Sequence, residues 1–109
     1  MKVAIIGSRT ISGIDLGKYL PPKTTQIMSG GAKGVDRCAK EYAISHSISL
    51  KEILPVYKRY GRAAPLKRNI QIVDESDVVL AFWDNRSHGT KFVIDYCAKT
   101  HKEVKVFVM

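Results

Sequence analysis

Two hydrophobic periods alternate along this chain. Lys2–Ile6 is a short β-rich apolar run ended by Gly7. Thr24–Met28, Ile48–Leu54 and Val104–Met109 read as further strands, and Asp77–Trp83 contains the run VVLAFW, which suits a strand buried on both faces. Between these runs the spacing changes. Val35, Cys38, Ala39, Tyr42, Ala43 and His46 recur at i, i+3, i+4 and i+7, one face of a helix. Ile14–Leu20 predicts a helix with Ser12 as N-cap and Asp15 three positions on, stopped by Pro21 and Pro22. Pro65 suits the first turn of another, with Leu66, Ile70 and Val73 on one side. His88–His101 predicts a last helix with Val93, Cys97 and Thr100 facing inward, and Val56–Ala64 predicts an irregular basic loop.

Strands alternating with helices imply a parallel sheet covered on both faces. The expected fold is α/β: a Rossmann-like, doubly wound, five-stranded parallel sheet of order 3-2-1-4-5 with helices on both faces, in one domain over residues 1–109. No linker, repeat or low-complexity segment interrupts it.

In such a sheet ligands bind beyond the carboxyl ends of the strands, where the strand order reverses. The loops expected there are Gly7–Thr10 (GSRT), Ser29–Asp36 (SGGAKGVD) and Trp83–Thr90 (WDNRSHGT). All carry Gly, Ser and a basic residue. Glycine lets an anion approach the backbone, and a helix N-terminus offers unpaired N–H groups. Gly30, Gly31 and Gly34 would wrap a phosphate, with Ser29 and Lys33 adding donors. Neither the P-loop GxxxxGK[ST] nor the dinucleotide fingerprint GxGxxG is present.

Charge sharpens this picture. The formal net charge is +8, which points to an anionic partner. Lys58, Arg59, Arg62, Lys67 and Arg68 fall in one stretch without an intervening acid, and Arg9, Lys33, Arg37, Arg86 and Lys91 lie in or beside the glycine-containing loops. Hydrophobic residues make up 45% of the 109, a globular proportion. No apolar run approaches the ~20 residues of a membrane span, so the expectation is a soluble cytoplasmic protein with no membrane partner. Cys38 and Cys97 lack a second Cys or a His at metal spacing, which predicts reduced core thiols and no metal site.

The individual residues divide between chemistry and packing. Asp36 either caps a helix or accepts a hydrogen bond from a ribose or base. Asp84, after the buried strand, either contacts a ligand or orients the site. Arg62 and Arg68 carry planar forks that match phosphate oxygens, or belong to a solvated basic loop. Asn69 lies on the helix surface or in the site, and Tyr60 and Trp83 stack on a base or pack. Ser8, Ser29, Ser87 and His88 lack a partnered catalytic group.

GSR after the first strand, SGGAKGVD after the second, YGRAAPLKRN (Tyr60–Asn69) and FWDNRSHGT (Phe82–Thr90) together resemble the SLOG superfamily, in particular its small stand-alone YspA/YpsA-like branch. Wider relatives of that superfamily include the DNA-processing protein DprA/Smf and the cytokinin-activating phosphoribohydrolases. The resemblance implies a Rossmann-like domain that binds nucleotides or nucleotide-derived ligands, and a homo-oligomer. Its pattern carries over onto Gly7, Ser8, Arg9, Ser29, Gly30, Gly31, Gly34 and Asp36, onto Tyr60, Gly61, Arg62, Arg68 and Asn69, and onto Trp83, Asp84, Ser87, Gly89 and Thr90. One departure matters. The phosphoribohydrolases share PGGxGTxxE, whose glutamate serves catalysis; here Lys91, Phe92 and Val93 follow the Gly-Thr pair, and Asp95 comes two positions too late.

The leading expectation is a module that binds a nucleotide or phosphorylated nucleoside, with no firm cofactor beyond such a ligand. A hydrolase of nucleotides or N-glycosidic bonds, using Asp36 or Asp84, is the second. A single-stranded nucleic-acid-binding protein is the third.

Overall fold

A computed structural model describes residues 1–109. Five parallel strands, β1 (Lys2–Gly7), β2 (Gln26–Ser29), β3 (Ser49–Glu52), β4 (Val78–Trp83) and β5 (Val104–Val108), form one sheet of order β3-β2-β1-β4-β5. This is the expected order. The helices are α1 (Val35–Ser45), the short α2 (Tyr57–Tyr60), α3 (Ala64–Glu75) and α4 (His88–Thr100). None is long and apolar enough to cross a membrane.

Strand alternation splits the core into two layers. Val3 and Ile5 of β1 join Val78, Leu80 and Phe82 of β4 on one face, under Val35, Ala39 and Ala43 of α1. Ala4, Ile6 and Val79 point the other way, to Ile72 and Val73 of α3 and Val93 and Cys97 of α4. β1 and β4 sit centrally in close register, Gly7 opposite Phe82. Cys38 packs against the first layer and Cys97 lies in the second, so the sheet separates the two free thiols.

Four elements differ from the sequence reading. Ile14–Leu20 is not an α-helix: only a 3-10 turn, Leu16–Lys18, forms there, capped by Asp15 rather than Ser12. Gly13 and Gly17 weaken a stretch already too short to propagate a helix between its N-cap and Pro21. Leu16 and Ile11 nonetheless fill the core that a helix would have covered. Val56–Ala64 is more ordered than a loop, comprising α2 and a 3-10 turn at Gly61–Ala63. The inward face of α3 is rotated: Ala64, Ile72 and Val73 are buried, Ile70 is half-buried and Leu66 is 38% exposed. At the last helix, Val93 and Cys97 face inward as expected, while Thr100 is exposed.

Candidate functional site

The reversal between β1 and β4 brings two loops edge to edge. The Ser8 amide extends the ladder by donating to the Phe82 carbonyl at 3.0 Å. The Ser8 hydroxyl, itself only 1% exposed, then accepts the Asp84 amide at 3.1 Å. Thr10 donates its hydroxyl to Asp84 Oδ2 at 2.7 Å, while Asp84 Oδ1 accepts the amides of Arg86 and Ser87 at 2.9 and 2.8 Å. These bonds, that of Thr10 foremost, hold the Asp84 carboxyl well below the usual carboxylate range. Asp84 therefore ties the β1 loop to the β4 loop, with both its oxygens engaged. Ser87 then caps α4, its hydroxyl accepting the Thr90 amide at 3.3 Å.

The third loop closes onto these two. Gly34 takes φ +71°, and a Cβ there would come 2.6 Å from the Arg9 carbonyl oxygen, so the β2 loop lies directly on the Arg9 backbone. Only glycine combines that conformation with that approach. Gly30 serves a different end. Its carbonyl accepts Arg68 Nη1 at 2.6 Å, and Arg68 Nε donates to Asn69 Oδ1 at 2.8 Å. Ala64, Arg68 and Ile72 fall four apart on one face of α3, which turns the guanidinium of Arg68 toward the sheet edge rather than to solvent.

The result is a cleft of about 480 Å³, lined by Gly7, Arg9, Thr10, Ala32, Asp36, Arg68, Asn69, Asp84, Arg86, Ser87, Gly89 and Thr90, with Ile6, Pro65 and Leu66 as its apolar wall. That volume lies within the ~300–1,000 Å³ of small-molecule sites. Within the protein the backbone N–H groups of Arg9 and Thr10 in one loop, and of Asn85, His88 and Gly89 in the other, meet no acceptor. Three arginines enter the cleft against two aspartates, one of which is already engaged by the loop bonds.

Asp36 is the second aspartate. It is 7% exposed, at the first turn of α1, and its Oδ2 accepts the Ala32 amide at 3.1 Å. Burial pushes its carboxyl up; the Ala32 bond and the charges of Arg68 and Arg9 oppose this without reversing it. Burial lowers the Arg68 guanidinium in turn, against the pull of Asp36.

A second cleft, of about 650 Å³, lies across the Ala32 ridge and shares Arg9, Ala32 and Asp36 with the first. Gly31 and Lys33 belong to it, with Arg37 and Lys40. Arg37 pairs with Glu41 at 3.3 Å and Lys40 with Glu52 at 3.7 Å.

Several residues singled out from sequence lie elsewhere. Ser29 is buried under the β2 loop, its carbonyl accepting the Ile53 amide. Trp83 donates its indole N–H to the Ser87 carbonyl at 3.0 Å and lines neither cleft. Tyr60 lines a separate hollow of about 330 Å³ beside Lys67, with Arg59 over its ring at 5.2 Å. Arg62 is exposed on the 3-10 turn. Val93 is buried in the core, and Asp95 pairs with Lys91 at 2.9 Å on the helix surface. Thr10, Ala32 and Arg86 join the cleft without having been singled out as site residues, although the quoted loops contain all three. No cluster of His, Cys, Asp or Glu is grouped to hold a metal ion.

No family model, no curated protein and no solved structure matches this chain.

Proposed function

We propose that this protein binds a nucleotide or phosphorylated nucleoside in the β1/β4 cleft. The observation that carries the reading is that Arg9, Thr10 and Gly89, whose amides are unpaired, line the same cleft as Arg68 and Arg86, with the unpaired amides of Asn85 and His88 in the adjoining β4 loop. Each charge-assisted hydrogen bond to a phosphate contributes roughly 1.5–3 kcal/mol, so several together hold an anion against water where one would be marginal. The SLOG-like order of the loops supports the same reading. Thr10, Arg86 and Ser87 engage both Asp84 oxygens, which gives that carboxylate an orienting role and leaves Asp36 as the one carboxylate of the cleft open to a hydrolase.

Calorimetry and thermal shift against nucleoside mono-, di- and triphosphates test it, with the unphosphorylated nucleosides as controls. At a hundredfold excess over Kd a bound nucleotide raises stability by about 2.7 kcal/mol, which shifts the melting temperature of a domain this size by roughly 10–20 °C. Arg9→Ala removes most of that shift, and Lys105→Ala on the outer strand leaves it intact. A folded protein that responds to no phosphorylated compound refutes the reading.

A second reading has one observation in its favour. Tyr57 and Tyr60 are exposed and interleaved with Lys58, Arg59, Arg62 and Lys67, the pattern of a single-stranded nucleic-acid surface. Affinity for oligonucleotides would then fall steeply with salt and with Tyr60→Ala. No gel shift at low salt eliminates it.

A further inference from the structure

Asp36 carries an inference that rests on the nucleotide reading and goes beyond it. A carboxylate 93% removed from solvent normally has both oxygens occupied. Here Oδ2 accepts the Ala32 amide, and Oδ1 has no partner. No fully buried side-chain oxygen or nitrogen in the protein lacks a partner, so Oδ1 keeps access to the space beside it. Asp36 lines both clefts, at their junction. No cation comes within ion-pairing distance of it, although Arg9 and Arg68 face it closely enough for their charges to act on it.

An ionised carboxylate only accepts hydrogen bonds. A guest group that takes the place of water at Oδ1 must therefore be a donor. The arginines flanking the same carboxylate, and the free amides of the β1 and β4 loops, require an anion close by. One ligand must thus carry a phosphate and a hydrogen-bond donor within about one side chain's reach of each other. In a nucleoside 5′-phosphate that donor is a sugar hydroxyl, because the sugar hydroxyls stand closer to the phosphate than the N–H groups of the base. We infer that Asp36 Oδ1 accepts a hydrogen bond from a ribose hydroxyl of the bound nucleotide, making the protein selective for ribonucleotides over their deoxygenated counterparts. Asp84 is less suited to this, since Thr10, Arg86 and Ser87 already take three of its roughly four acceptor positions.

The test compares ribonucleoside monophosphates with their dideoxy counterparts by calorimetry on the wild-type chain, so that no variant need fold. The expected result is a roughly ten- to hundredfold weaker affinity for the dideoxy compounds, the effect of one hydrogen bond to a charged group. Asp36→Ala is the second arm. With no side-chain oxygen or nitrogen left to bond the sugar hydroxyl, this variant binds both series with similar affinity. Equal affinities for both series in the wild type overturn this inference and leave nucleotide binding standing. Wild-type selectivity that survives in Asp36→Ala moves the sugar contact to another residue and likewise overturns it. Absence of binding by either series overturns the nucleotide reading as well.

Discussion

Gly30→Ala separates the role of Arg68 from the stability of the fold. Gly30 does not need a left-handed backbone, so alanine fits its conformation, but the new Cβ would lie 2.6 Å from Arg68 Nη1 and 2.8 Å from its Cζ. The guanidinium, at the end of a flexible side chain, has to move. Its 2.6 Å bond to the Gly30 carbonyl is lost, a cost of roughly 1.5–3 kcal/mol for a charged donor. Because Arg68 is only half-buried, water recovers part of this and the lower end applies. Loss of glycine's unfolded-state freedom returns about 0.4–1 kcal/mol. The net destabilisation is therefore about 1 kcal/mol, a fall of roughly 4–8 °C in melting temperature. Nucleotide affinity falls much more in proportion, by roughly ten- to hundredfold, since the fork leaves the cleft. Calorimetry of the wild type, Gly30→Ala, Arg68→Ala and the double variant decides the matter. If Arg68 is the only thing that Gly30→Ala disturbs, the double variant binds as weakly as Arg68→Ala alone. Additive losses, or unchanged affinity in Gly30→Ala, refute the reasoning.

Asp36→Asn stabilises the ligand-free protein near neutral pH. The folded-state pKa of Asp36 lies above its ordinary 3.8, so its favourable contribution is complete below that value and is lost as pH rises through the folded one. Melting curves should show the gap between variant and wild type closing as pH falls below 3.8; a gap independent of pH contradicts the assignment. Gly34→Ala is strongly destabilising, because a side chain at φ +71° meets the Arg9 backbone at 2.6–2.7 Å. Strain of about 1–3 kcal/mol and a similar overlap cost act together, so urea denaturation should find a loss above about 2 kcal/mol. Thr10→Val raises the pKa of Asp84, whose largest support is the Thr10 hydroxyl. Carboxyl-resolved NMR titration reads this directly, and an unmoved Asp84 shows that the two loops are tied by other bonds.

Much of the fold is legible in the residues because the two hydrophobic periods rarely compete. The VVLAFW run could only be a central strand, and the alternation of strands with helices left few topologies besides β3-β2-β1-β4-β5. Legibility fails where a period is present but its partner surface is not encoded nearby. Ile14, Leu20 and their neighbours have helical spacing, yet glycines at 13 and 17 and the pair Pro21–Pro22 leave room for a single 3-10 turn. On α3 the spacing of Leu66, Ile70 and Val73 suggests a helix face, but packing decides which face: Ala64, Arg68 and Ile72 turn inward, and Arg68 thereby reaches Gly30. The loops of the cleft are readable from their glycines. How their polar groups are spent is not, because Trp83 N–H, Ser8 Oγ and both Asp84 oxygens are consumed by partners distant in sequence or by the local turn. The unpaired oxygen of Asp36 and the second cleft are likewise products of tertiary closure.

The central claim is that free backbone N–H groups at the β1/β4 reversal receive a phosphate. An amide-resolved NMR titration with a nucleoside monophosphate tests it most directly. The account predicts saturable shifts concentrated at Arg9, Thr10, Asn85, His88 and Gly89, with the Lys105 amide on the outer strand unmoved. Shifts confined to Tyr57–Ala63, or none at a concentration that saturates nucleotide sites, would contradict it.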